Sequence, residues 1–364
     1  MRLLFLDCAP FMGGAQESLW TLLRELRRQT PHEPVLACAC PELADRAASE
    51  RIPVTRLPLT RHWRATPGGL LQWLQDRHRV APILAALRRD VRPHLVHLNT
   101  CRAALLCPGL GPDCIIHDRD IRMPGVVPAW LARRCPAVIA ISAAVARKWR
   151  GRLEPVVIPN AFDLPTLTAA AAQARCPSSS GTLPTIVLAA DFVSWKGHET
   201  LLDALSELRR RGLGFQAILR GRVRDREGAA LRARVEARLR AEGLSEQVEV
   251  RSAAGSALGE LAAADIVVSA SRNEPFGRTV VEALALGKVV VALSSGGVTD
   301  ILSGCPAATL VDEGESLAEA LAWWLPAERR SAAVSSAARV CAVRYGVPAV
   351  LPQVLRLYER LSPA

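Results

Sequence analysis

Residues 271–297 read SRNEPFGRTVVEALALGKVVVALSSGG. The apolar run from Val289 to Leu293, and the run Ile266-Val267-Val268 just before the stretch, have the length and β-branched content of buried strands. Between them, Arg278 to Leu286 reads as a helix of small and apolar residues on almost every side, which belongs inside a fold. Strand, helix and strand in succession make a βαβ unit of a parallel sheet. Yet the helix carries Glu282, and Glu274 stands just before it, with seven residues between the two. An ionised carboxylate in apolar surroundings is costly unless something pairs with it. Either Arg278, one turn away, makes an i,i+4 pair with Glu282, or the carboxylate is there for a ligand.

The same alternation extends in both directions. Apolar runs at 3–8, 34–40, 95–100, 113–118 and 137–142 predict buried strands in the first half of the chain. Runs at 185–191, 216–221, 248–254, 265–271 and 289–295 predict them in the second. Helical patterns such as ESLWTLLRELRR (17–28) separate them, so each half is expected to be a doubly wound α/β domain with a parallel sheet. The Ala-, Ser- and Pro-rich stretch 164–184 breaks the alternation and reads as a linker. The expected domains are therefore 1–163 and 185–347, followed by a C-terminal helix in 348–364 that packs back on the first domain. Two such domains facing each other would hold ligands at the carboxyl ends of their strands.

Composition narrows the function. Half of the 364 residues are hydrophobic, ample for two cores, and no apolar run approaches the ~18 residues that suggest a membrane span. The start, MRLLFLDCAPFMGG, reads as a first strand and its loop, not as a signal peptide. Ten cysteines occur without CxxC pairs or histidines at zinc spacing, which points to a reduced, cytoplasmic setting and no structural metal. The net charge of +11 is uneven: residues 1–163 hold 23 Lys/Arg against 14 Asp/Glu, and residues 164–364 hold 23 against 21. Such an excess suits either an anionic partner or a solvated Arg-rich surface. The segment from Arg61 to Arg92, with Trp63, Trp73, Leu70, Leu74, Ile83 and Leu87 among seven arginines, suits either an anionic membrane surface or a core-facing helix with a wet face. Only Lys148, Lys196 and Lys288 are lysines among 46 basic residues, so each is worth locating.

Five stretches, in order, resemble glycosyltransferase family 4: MGGAQESL, VIAISAAVARKW, VVIPNAFDL, SWKGHETLLDAL and EPFGRTVVEALALGKVVVA. The resemblance covers most of the chain. It implies the GT-B fold, two Rossmann-like domains facing across a cleft, and a retaining glycosyltransferase of glycan biosynthesis. Such an enzyme moves a sugar from a UDP- or GDP-sugar to a hydroxyl of an acceptor (a glycan, a lipid-linked sugar or a small molecule). No cofactor or metal is implied, and nucleic acid is not a partner. Peripheral contact with an anionic membrane fits the basic first half. A UDP-sugar 2-epimerase of the same fold and a non-catalytic scaffold are the alternatives.

The resemblance also assigns roles. The E-x7-E pair is Glu274, for hydroxyls of the donor sugar, and Glu282, for the ribose of its nucleotide. A carboxylate that accepts two hydroxyl donors is satisfied without being neutralised. Backbone N–H groups at Phe276 and Gly277 would hold sugar hydroxyls, and those of Arg278 and Thr279 the diphosphate. Lys196 would bind the donor phosphates, unless it is an ordinary loop lysine. His117, at a strand end, would touch the sugar near the reacting centre, unless it is a structural histidine. Gly13 and Gly14 would lie over the diphosphate and acceptor, unless they form an ordinary turn. By topology Asn99 and Arg102 would meet the acceptor. One departure stands out: the family's Arg, five residues before Lys196, is Asp191 here, leaving Arg220 and Arg222 as substitutes.

Overall fold

All ten apolar runs form strands, and three shorter strands join them in the computed structural model, which describes residues 1–60, 67–123, 125–135, 137–174, 183–253 and 255–362. The chain divides into two units. The first comprises Met1–Phe162 and Val347–Ala364, the second Asp163–Gly346.

The first unit holds β1 (Arg2–Asp7), β2 (Glu33–Cys38), β3 (Val54–Arg56), β4 (Leu95–Leu98), β5 (Cys114–Asp118), β6 (Ala137–Ala140) and β7 (Val156–Val157). They form one sheet in the order β3-β2-β1-β4-β5-β6-β7, every pair parallel. Both faces are covered, as parallel sheets require. On β1, Leu3 and Phe5 enter one core and Leu4 and Leu6 the other. The first of these cores is completed by the C-terminal helix Val347–Leu361, through Val350, Leu351, Val354, Leu357 and Tyr358.

The second unit holds β8 (Thr185–Ala189), β9 (Gln216–Gly221), β10 (Val248–Ser252), β11 (Ile266–Ser269), β12 (Val289–Leu293) and β13 (Ala308–Val311). Their order is β10-β9-β8-β11-β12-β13, again parallel throughout. The expected linker is corrected: its first half is a helix, Leu164–Gln173, belonging to the second unit. Asp163 caps it by accepting from the Thr166 N–H at 3.0 Å, and its Ala-rich body is the best helix-forming composition. The rest of that expected linker, 175–182, lies outside the described residues.

Each sheet reverses its strand order once, between β1 and β4 and between β8 and β11. At such switch points loops diverge and leave a crevice beyond the strand ends. Gly13 and Asn99 follow β1 and β4, and Lys196 and Glu274 follow β8 and β11.

The helix Pro67–Val91 turns its second half inward, with Val80 and Leu84 buried in the core, while Leu70, Leu71 and Leu74 near its start are exposed. Trp63 and the adjoining arginines 61 and 64 lie outside the described residues. Among the described residues, no helix is long and apolar enough to cross a membrane.

His97, His117 and His198 are all buried. Loss of solvation draws His97 down to about 3 and His198 to about 4, and sets His117 well below its ordinary 6.5. In the unfolded chain each histidine takes a proton near 6.5. Between there and pH 4 the unfolded chain binds more protons than the native one, so these groups withdraw stability as the pH falls. His198→Phe keeps a ring on Phe192, now 4.4 Å from the imidazole centroid. It should reduce the slope of unfolding free energy against pH by up to about 1.4 kcal/mol per pH unit near pH 5. Urea titrations of both proteins at several pH values would show this as converging or parallel curves.

Candidate functional site

Lys196 ends a short 3-10 turn, Ser194–Lys196, after β8. Its Nζ donates to Glu274 Oε2 at 2.5 Å and lies 4.1 Å from the Trp195 ring centroid. Thus two residues that the family resemblance assigns to the donor, 78 positions apart, form an ion pair at the second unit's switch point, both largely shielded from solvent. Of the other lysines, Lys148 pairs with buried Asp118 at 2.7 Å, and Lys288 donates to the Ala262 carbonyl at 2.6 Å. Both are spent inside the fold.

The quoted stretch closes on itself around Glu274. The Gly297 N–H donates to the Glu274 carbonyl at 2.7 Å, and the Asn273 N–H to Ser295 Oγ at 2.6 Å. Gly296 has φ +71°, and a Cβ there would fall 2.0 Å from the Glu274 carbonyl oxygen, so only glycine fits. Gly277, at φ +108°, is the N-cap of the helix Arg278–Ala285 and has no side chain with which to cap it. Its N–H groups are the kind that receive sugar oxygens or phosphate. The Phe276 ring is buried edge-on against Tyr345, at 5.7 Å, which anchors the loop. Thr279 Oγ1 donates to the Ala189 carbonyl at the end of β8, at 3.3 Å.

Glu282 has a partner on its own helix. Arg278 NH2 donates to its Oε1 at 3.3 Å, so the i,i+4 pair does form. The two side chains are 21% and 19% exposed, half-enclosed rather than on an open surface, and the pair orients a carboxylate that solvent still reaches.

Asp191 is turned into its own cluster. Arg222 Nε reaches its Oδ1 at 3.0 Å and Arg224 Nε its Oδ2 at 2.6 Å. Burial alone would raise this carboxyl, but the hydrogen bonds and charges of Arg224 and Arg222 outweigh it and hold it below the usual value. Arg220 is corrected as a substitute for the family's Arg. It is buried, binds Glu260 at 2.9 Å and donates to the carbonyls of Gly255 and Ser256. Arg222, half-exposed, is the candidate compatible with a ligand.

In the first unit, Gly13 precedes the helix Gly14–Gln29, whose start likewise has no side-chain cap among the described residues. Asn99 is corrected: it is fully buried, and its amide donates to Asp7 Oδ2 at 2.6 Å while accepting from Arg119 Nε at 2.8 Å. Its side-chain hydrogen bonds are made within the fold. Arg102 is partly buried in the helix Cys101–Leu106. Asp7 also receives Gln16 Nε2 and the Ala9 N–H, both at 2.9 Å. Burial still outweighs these bonds and raises its carboxyl above the usual value.

His117 is the penultimate residue of β5 and is buried. Its Nδ1 meets His97 Nε2 at 3.1 Å and Arg119 NH2 at 3.3 Å, while its Nε2 has no hydrogen-bond partner among the described residues. Arg119 NH1 also bonds Asn160 Oδ1. Sequence reasoning did not find Asp7, Arg119, Asn160 or Tyr358 as parts of this network. Asn160 lies within VVIPNAFDL, and Arg119 follows His117 by two positions, but only the fold brings them together. Among the described residues, no group of three or more His, Cys, Asp or Glu side chains is arranged to hold a metal ion.

The model of the family described as Glycosyltransferase Family 4 matches residues 12–165, and that of Glycosyl transferases group 1 matches residues 175–340. No curated protein matches the chain. The fold is similar to that of HepE from Anabaena, solved in complex with UDP and glucose: 23% identity over 99% of both chains, with a TM-score of 0.77. It is also similar to a glycosyltransferase from Rickettsia africae, with 18% identity over 99% of this chain and 98% of that one, TM-score 0.76. A sucrose-phosphate synthase from Thermosynechococcus elongatus shares 17% identity over the same proportions, TM-score 0.77. With both family models placed end to end on two Rossmann-like units of the GT-B type, the chain is a glycosyltransferase of the family 4 type, an enzyme of nucleotide-sugar glycosyl transfer.

Proposed function

We propose that this enzyme transfers a sugar from a UDP- or GDP-sugar to an acceptor hydroxyl with retention of anomeric configuration, and that its second unit holds the donor. The observation that carries this reading is the Lys196–Glu274 pair at the switch point beside the helix start at Gly277. The complex of Anabaena HepE with UDP and glucose favours UDP as the nucleotide.

In this reading the diphosphate gains negative charge as the glycosidic bond breaks, and the Lys196 ammonium, already fixed, stabilises it without reorganising solvent. Helix-start N–H groups at Arg278 and Thr279 add to that field. Arg222 contributes the charge that the family's Arg would supply. Glu274 receives sugar hydroxyls once a donor displaces Lys196 from it, and Glu282 receives the ribose hydroxyls. The acceptor hydroxyl attacks from the face the leaving phosphate vacates, and the phosphate takes its proton, so no carboxylate nucleophile is needed. Gly13, Gly14 and Arg102 contact the acceptor or diphosphate in the first unit. Its exposed Leu70, Leu71 and Leu74, within a basic half-chain, suit peripheral contact with an anionic membrane where a lipid-linked acceptor would be found.

The two glutamates separate the roles experimentally. A lost hydrogen bond to a charged group costs roughly 1.5–3 kcal/mol, so Glu282→Ala should weaken UDP or GDP binding about 10- to 150-fold. Glu274→Ala should bind free nucleotide normally and lose turnover, because its partner is the sugar. Calorimetry and single-turnover rates measure both. Equal loss of nucleotide affinity in the two variants would refute the division.

A further inference from the structure

We propose that Tyr358, acting through His97, locks His117 as a neutral imidazole with its proton on Nε2, so that His117 offers a ligand oxygen a fixed hydrogen-bond donor and cannot serve as a base toward an acceptor hydroxyl. The proposal rests on the glycosyl-transfer reading only for what the ligand is.

Four groups of the first unit form a chain. Tyr358 Oη lies 2.7 Å from His97 Nδ1, His97 Nε2 lies 3.1 Å from His117 Nδ1, and Arg119 NH2 lies 3.3 Å from the same His117 Nδ1. A guanidinium can only donate, so His117 Nδ1 accepts and the ring's proton sits on Nε2. His97 Nε2 faces that acceptor, so it must donate, which leaves His97 Nδ1 as an acceptor for the Tyr358 hydroxyl. The polarity can be derived independently from the other end. Tyr358 is fully buried, and His97 Nδ1 is the only hydrogen-bond partner of its hydroxyl among the described residues. A buried hydroxyl with no acceptor would lose a hydrogen bond outright. The phenol therefore donates to His97 Nδ1, and the same tautomers follow in sequence. Arg119 at one end and Tyr358 at the other demand one arrangement.

The free end of the chain points to a ligand. His117 Nε2–H is buried and has no partner among the described residues. An unsatisfied buried donor carries a desolvation penalty that an incoming oxygen removes. His117 Nδ1, its other nitrogen, is closed by two donors, so neither nitrogen can take a proton from an acceptor. Burial agrees with this, holding both imidazoles in their neutral form. Tyr358 is accordingly a positioning residue. It belongs to the C-terminal helix, which is separated from His97 by 261 positions in the chain, so the return of that helix to the first unit completes the lock.

The test uses the full-length protein with ¹⁵N-labelled histidine. Long-range ¹H–¹⁵N spectra of the wild type should show His117 and His97 each protonated on Nε2 and unprotonated on Nδ1 from pH 6 to 8. Tyr358→Phe should shift the His97 ring nitrogens toward mixed tautomers, move those of His117 with them, and lower kcat roughly three- to tenfold, the weight of one neutral hydrogen bond. His97→Gln, whose amide keeps an N–H toward His117, should restore most of the activity that His97→Leu loses. A wild-type His117 protonated on Nδ1 or charged, or His117 signals unmoved by Tyr358→Phe, would overturn the lock. Unchanged transfer in His117→Ala would overturn its ligand contact. A protein that transfers no sugar but shows the expected tautomers would leave the lock upheld and fault the donor reading instead.

Discussion

Lys196→Ala should lower the rate of sugar transfer by about 10²–10³, the loss seen when one preorganised charge-stabilising donor is removed from a developing anion. The ammonium is the fixed charge nearest Glu274, at 2.5 Å, and it sits in the loop that follows the central strand β8. Its effect belongs in the chemical step, so single-turnover rates should fall further than donor affinity. Lys196→Arg should recover part of the rate, because the charge is kept while the compact ammonium geometry is not. A Lys196→Ala enzyme within threefold of wild type would mean that the diphosphate does not leave from this loop.

Arg220→Ala should cost about 3–5 kcal/mol of folding stability, because it leaves the partner of a buried ion pair uncompensated. Arg220 and Glu260 are 8% and 16% exposed at their side chains, shielded enough for that penalty to apply. The same guanidinium ties the Gly255 and Ser256 carbonyls to β9, so the loop before the helix Leu258–Ala263 should loosen with it. Denaturant midpoints of Arg220→Ala and Arg222→Ala make the comparison. Arg222 pairs with Asp191 at a half-exposed position and should change the midpoint little while weakening donor binding. A stable Arg220→Ala protein that has lost donor affinity would reverse the assignment of the two arginines.

Most of this architecture was legible because parallel strands buried on both faces are written as continuous apolar runs. The three strands that were not anticipated, β3, β7 and β13, all lie at sheet edges and span two to four residues. An edge strand is covered on fewer sides, and the mixed burial of Val54–Arg56 and Ala308–Val311 leaves no apolar run to recognise. The segment after Asp163 resembles a linker because its Ala-, Ser- and Pro-rich composition breaks the alternation, yet it has a capping Asp, a Pro in the first turn and an alanine body. The resemblance singled out Lys196, Glu274, Gly277 and Glu282, and the fold brings Lys196 and Glu274 into one ion pair. Asn99 did not, because a strand-end asparagine looks the same whether it faces a ligand or, as here, bonds Asp7 from 92 positions away. Arg220 and Arg222 are likewise two positions apart, and only the fold separates them: Arg220 is buried against Glu260, whereas Arg222 is half-exposed beside Asp191. The Tyr358–His97–His117 chain joins three distant segments through tertiary packing alone.

The most direct test of the donor site is to incubate the wild type, Lys196→Ala and Glu274→Ala with a panel of UDP- and GDP-sugars and follow release of the nucleoside diphosphate by mass spectrometry. Slow hydrolysis reveals a donor even without its acceptor. The expected result is release from one nucleotide-sugar by the wild type, reduced about 10²–10³ by Lys196→Ala and lost in Glu274→Ala. Release that continues unchanged in both variants, or a folded wild type that neither consumes nor binds any member of the panel, would contradict a donor site built on Lys196 and Glu274.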